Sequence, residues 1–183
     1  MKYYLVALLD KDSGKTIENA TRGLIKKIKP KKKTSFYGVV LETIEDPDLM
    51  KLEDIIRDIS KPIRLFKLDV QGKLSFDEEL KTIGLDVMNF GYVKRLSRTF
   101  NNMLGLHGFK VRDEEALESK ETVQLILYNG GSTKDLDTYQ NILRKKTDNI
   151  FKVDRFQIWK NFNFKKDSVV ATIQLKDPNI ISL

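Results

Sequence analysis

The chain has 183 residues, 40% of them hydrophobic and 32% charged, with a formal net charge of +7. That length suits one domain with a core of its own, and no apolar run is long enough to argue for a membrane span. The absence of cysteine excludes disulfides, thiolate nucleophiles, zinc knuckles and thiol switching.

Apolar residues from Tyr3 to Leu9 give way to Asp10-Lys11-Asp12 with no small-residue cleavage site. They are read as a buried first strand rather than a signal peptide, and a cytoplasmic protein is expected. Ser13-Gly14 opens a helix with Ile17, Ala20, Leu24, Ile25 and Ile28 on one face, stopped by Pro30. A strand follows from Phe36 to Ile44. Asp46-Pro47-Asp48 then supplies a cap and a first-turn proline for a helix carrying Leu49, Leu52, Ile55, Ile56 and Ile59.

The extended stretch after Pro62 runs to a turn at Gln71-Gly72-Lys73 and back through Leu74 and Phe76, a predicted hairpin, with a further strand at Thr82–Met88. Asn89 to Leu104 is a helix with Val93, Leu96, Phe100 and Leu104 in one stripe. The acidic segment from Asp113 to Glu121 is read as a loop and Thr122–Tyr128 as a strand. Asn129-Gly130-Gly131 makes a turn, and Ser132 caps a helix through Leu136, Tyr139, Ile142 and Leu143. Two last strands, near Lys152–Lys160 and Ser168–Lys176, close a hairpin through residues 161–167. Strands alternating with helices, without a linker, predict an α+β fold: mixed antiparallel sheets with flanking helices, residues 1–183 forming a single domain of two pseudo-symmetric lobes.

Five passages carry a resemblance: Tyr3 to Leu8; Phe36 to Leu41 with the helix at Leu49 to Ile59; Tyr92 to Leu104 running into Gly108-Phe109-Lys110-Val111; Thr122 to Tyr128; and the closing pair Phe151 to Trp159 and Ser168 to Leu175. Their order and spacing resemble the two-histidine phosphoesterases, the 2′-5′ RNA ligase-like and cyclic phosphodiesterase proteins, over nearly the whole chain. The resemblance implies a central cleft, with one His-x-Thr/Ser motif on each of two strands and the two imidazoles acting as base and acid. Here the corresponding strands, Phe36 to Leu41 and Thr122 to Leu127, hold no histidine in any register, and the chain's one histidine is His107. Loss of both motifs, and of the reaction, is therefore expected. The cleft-facing set is either Tyr37 with Val39 or Gly38 with Val40, opposite Gln124 and Ile126. His107 lies just past a helix end, where a capping or surface role is expected.

An excess of Lys and Arg suits a polyanionic partner such as RNA, DNA or a nucleotide, although an AT-rich genome gives a Lys-, Asn- and Ile-rich composition by itself. Lys31, Lys32 and Lys33 end a basic run just before the first motif strand. They read either as a phosphate cradle, with Ser35 and Tyr37 adding hydroxyl groups and a ring, or as a solvated loop. The candidate ligand-binding set is Lys31, Lys32, Lys33, Ser35, Tyr37, Gln124 and Tyr128. No catalytic residue, metal site or cofactor is expected, since no carboxylate group has a histidine beside it. The leading expectation is a degenerate phosphoesterase-like protein binding a nucleotide, cyclic oligonucleotide or RNA end. A module with a cleft closed by Val39, Val40 and Ile126 and a protein partner is the alternative, and a phosphodiesterase with rebuilt chemistry is a third.

Overall fold

Period-2 alternation sends neighbouring residues of a strand to opposite faces, and β1 (Lys2–Leu9) is apolar on both. Tyr3, Leu5, Ala7 and Leu9 enter the main core, while Val6 and Leu8 join a second, smaller cluster. The computed structural model describes residues 1–28, 36–129, 133–143, 150–160 and 168–179. Its further elements are α1 (Lys11–Ile28), β2 (Gly38–Glu45), α2 (Leu49–Ser60), β3 (Phe66–Asp77), β4 (Thr82–Val87), α3 (Phe90–Leu106), β5 (Lys110–Val111), α4 (Glu114–Glu118), β6 (Gln124–Asn129), α5 (Leu136–Leu143), β7 (Ile150–Lys160) and β8 (Val169–Gln174). The fold is α+β.

The strand pairings form a closed circuit: from β1 through β2, β6, β4, β3 and β7 the path returns to β1, and every neighbour on it is antiparallel. β8 lies beside β7, and β5 beside the outer edge of β2. On the main-core face, α1 and α5 touch each other and reach β7 and β3, while α3 packs on β2 and α2 on α3 and β8. The stripe predicted for α3 is buried as expected: Val93, Leu96, Phe100 and Leu104. Among the described residues no helix is long and apolar enough to cross a membrane.

Several elements depart from the sequence reading. α1 starts at Lys11 because Asp10 is its cap, its carboxylate accepting from the Ser13 amide at 2.7 Å. Ser13 sits instead in the first turn, where its hydroxyl accepts from the Lys152 amide at 2.8 Å. Pro47 precedes the α2 cap, Asp48, whose side chain accepts from the Lys51 amide. Gln71-Gly72-Lys73 is no hairpin turn but a bulge within β3, where the register slips between Val70 and Leu74. The amide groups a turn would bond internally are met by α5: Gln140 accepts from the Leu74 amide at 2.7 Å and donates to the Gly72 carbonyl. The chain reverses at residues 78–81. The acidic stretch contains α4, whose first turn holds Glu114 and Glu115, the charge a helix N-terminus favours. Pro30, Gly130, Gly131, Ser132 and the hairpin loop at 161–167 lie outside the described residues.

Candidate functional site

The two strands singled out in the sequence, β2 and β6, meet at one pair of residues, Gly38 and Ile126. Gly38 is also paired with Leu8 of β1, and a Cβ on it would lie 2.3 Å from the Ala7 carbonyl oxygen. Only glycine lets the strands approach this closely. Among the described residues, the outer edge of β2 beyond Gly38 has no strand partner until Ile44 meets β5. The strands splay from their shared bridge, and the wedge between them is a pocket of about 50 Å³. By the measure in which one water needs roughly 10–15 Å³, it holds a few waters or a small polar group.

Val40 and Ile126 line the wedge beside Gln124, Thr122, Lys94, Arg112 and Lys120. Of the two registers left open by the sequence, the structure has Gly38 and Val40 on the same side as Gln124 and Ile126, while Val39 belongs to the main core. The two sides of the cleft differ in chemistry. Next to β2 lies the second cluster, in which Val6, Leu8, Phe36, Ile126 and Trp159 are buried and Tyr4, Val40, Leu80 and Val169 partly so. The Phe36 and Trp159 rings stand 4.7 Å apart.

The face of β6, β4 and β3 is polar. Gln124 accepts from the Thr82 hydroxyl at 2.8 Å and donates to the Ser75 carbonyl at 2.8 Å and hydroxyl at 3.0 Å. To do so its side chain lies flat across β4 at Gly84, where a Cβ would stand 2.4 Å from the Gln124 Cγ and 2.2 Å from the Leu125 carbonyl oxygen. Gly84→Ala is therefore expected to cost about 1–3 kcal/mol and to displace Gln124, read as a lower urea midpoint. Lys120 is shared between Asp77 and Glu79, both at 3.2 Å. Arg112 is drawn to Glu42, its Nε 2.8 Å from the carboxylate.

Gln124 is thus the one residue of the predicted ligand set that the described structure places at the wedge. Tyr128 is 1% exposed in the main core, its hydroxyl donating to the Thr21 carbonyl of α1 at 3.4 Å. An irregularity in the β4–β6 register between Ile83 and Gly84, where Tyr128 follows Ile126 as the next paired residue, turns it away from the cleft. Tyr37 also faces α1, and burial with the nearby Glu18 charge raises its pKa. These two tyrosines sit together and leave the wedge, correcting their assignment. Lys31, Lys32, Lys33 and Ser35 lie outside the described residues. His107 is exposed at the end of α3, ten residues beyond Ser97 of the wedge, or about 15 Å along a helix.

The polar set Ser75, Thr82 and Asp86 was missed in the sequence. Its signal is Thr82-Ile83-Gly84-Leu85-Asp86-Val87, in which polar and glycine positions alternate with apolar ones on a strand buried throughout. Among the described residues no three His, Cys, Asp or Glu side chains are grouped to hold a metal ion.

No family model and no curated protein sequence matches the chain. Solved structures do. A phosphoesterase aligns with a TM-score of 0.59 at 8% identity, covering 96% of this chain and 98% of its own. LigT of E. coli, complexed with 3′-AMP, aligns at 0.52 and 9% identity over 96% and 98%. Usb1 of Kluyveromyces marxianus aligns at 0.50 and 13% identity over 96% and 97%. At such identities the likeness is one of fold, and the chain has a LigT-like α+β fold.

Proposed function

We propose that the chain is a phosphoesterase-like protein that has lost the two-histidine reaction and binds a nucleotide, cyclic oligonucleotide or RNA end in a basic cleft, with no more than a small polar group of it entering the β2–β6 wedge, without cleaving it. The observation that carries this reading is the identity of the wedge-facing residues. On the two motif strands the residues on the wedge side are Gly38, Val40, Gln124 and Ile126, none of which takes or gives a proton near neutral pH, and this supports loss of the acid–base pair on which the two-histidine reaction rests. Retention of a ligand is supported by the polar face of β6, β4 and β3, by Lys94 and Lys120 at the wedge, and by the net charge of +7. LigT structures complexed with 3′-AMP and NADP+ share the fold. In this reading Lys31, Lys32, Lys33 and Ser35 hold the phosphate at the mouth of the cleft.

A second reading is favoured by the cluster of Val6, Leu8, Phe36, Ile126 and Trp159, which fills the β1–β2 side with apolar side chains: the cleft is closed and the protein serves a protein partner. Thermal unfolding against 2′,3′-cyclic, 3′,5′-cyclic and 2′-5′-linked nucleotides separates the two. A ligand at 100 times its dissociation constant is expected to add about 2.7 kcal/mol to the parent and less to the Lys31→Ala, Lys32→Ala, Lys33→Ala triple variant, without turnover of a 2′,3′-cyclic phosphate. No shift with any nucleotide favours the closed cleft, and turnover overturns the loss of reaction.

A further inference from the structure

On β4, Ile83, Leu85 and Val87 face the main core, and Thr82, Gly84 and Asp86 face the cleft with their register partners on β6. Asp86 is 6% exposed, and its Oδ1 is buried with no hydrogen-bond partner. Its cross-strand neighbour is Gln124, and both N–H groups of that amide are directed to Ser75. Lys73, on the β3 bulge, stands 3.9 Å from Oδ2, and its side chain is 70% exposed. A buried carboxylate oxygen without a donor is costly and rare in a folded protein, and a strand buried on both faces has no structural need for it.

We propose that Asp86 reads the base of the bound nucleotide and selects guanine. The inference rests on the nucleotide-binding reading above and names the ligand's base. Two carboxylate oxygens side by side match two parallel N–H donors. Guanine presents such a pair, N1–H and the N2 amine. Adenine and cytosine set a ring acceptor beside their amine, and uracil flanks its one N–H with two carbonyl oxygens, so each turns an acceptor toward the carboxylate. Lys73, long and exposed, moves aside as the base edge replaces it at Oδ2. Gln124, the register partner of Asp86, lines the wedge, so a base at Asp86 leaves its ribose and phosphate toward the mouth of the cleft.

Calorimetric titration of the parent protein with 2′,3′-cyclic GMP, its inosine counterpart, which lacks the N2 amine, and 2′,3′-cyclic AMP tests the assignment without any variant. The guanine nucleotide is expected to bind about tenfold or more tightly than either, since each loses a charge-assisted hydrogen bond. Asp86→Asn, which replaces one acceptor with a donor and so matches the amine and ring acceptor of adenine, is expected to abolish the guanine preference and to raise the affinity for the adenine nucleotide. Binding of all three with equal affinity, or a guanine preference unchanged in Asp86→Asn, overturns the role of Asp86 and leaves the nucleotide reading intact. Failure of every nucleotide to bind overturns both.

Discussion

Glu42→Ala is expected to destabilise the protein by about 3–5 kcal/mol, the cost of removing one partner from a buried ion pair. Glu42 is fully buried on β2 and accepts from the Thr43 amide at 2.8 Å, the Arg112 Nε at 2.8 Å and the Asn101 amide at 3.0 Å. Arg112 in turn donates to the Leu41 carbonyl, and Asn101 to the Arg112 carbonyl at 2.8 Å. The network joins β2, α3 and the segment after β5 on the edge of β2 that faces away from β1, where among the described residues no strand pairs with residues 39–43. Removal of the carboxylate leaves a guanidinium that is only 12% exposed without its counter-charge. Urea unfolding of Glu42→Ala, Arg112→Leu and the double variant measures this directly. The double is expected to lose less than the sum of the singles, because groups in one network couple. Additive losses, or a single loss below about 1 kcal/mol, would show that pairing with β1 holds β2 without the network.

The order of elements was legible because its signals are local. Apolar spacing placed β1, α3 and β4 within two residues, and Asp46-Pro47-Asp48 announced the start of α2, although the cap is Asp48 and the proline precedes it. Where the sequence misled, a distant partner had replaced the local rule. Gly72 reads as a turn, yet Gln140, far along the chain on α5, meets the amide groups that would have closed one. Tyr128 reads as a cleft residue if β6 keeps strict alternation, and the irregular register beside Ile126 breaks it. The wedge was legible only in part. The strands that form it, and Gln124, come from the resemblance and from period 2. Arg112 and Lys120 flank an acidic stretch whose opposite charge masked them, and Asp86 gains its meaning only from Gln124 turning away.

Trp159→Ala is expected to cost about 3–5 kcal/mol, the usual range for truncating a buried tryptophan, and it tests what fills the cleft. Trp159 is 3% exposed, packs on Phe36 and donates its indole N–H to Gln157 at 3.1 Å. It pairs across β7 with Tyr4 of β1 and Val169 of β8, so its loss opens a cavity on the apolar side of the cleft, not in the main core. Trp159→Phe should recover much of the loss by keeping the ring contact with Phe36. Phe36→Ala combined with Trp159→Ala should cost less than the two separately, since the second truncation removes a contact already gone. Denaturant midpoints give all four values. The polar face lies on other strands, so nucleotide affinity should survive Trp159→Phe if the ligand uses Gln124 and Asp86. Affinity lost with the indole, at unchanged stability, would instead place the ligand on the aromatic side, where a base stacks on Trp159.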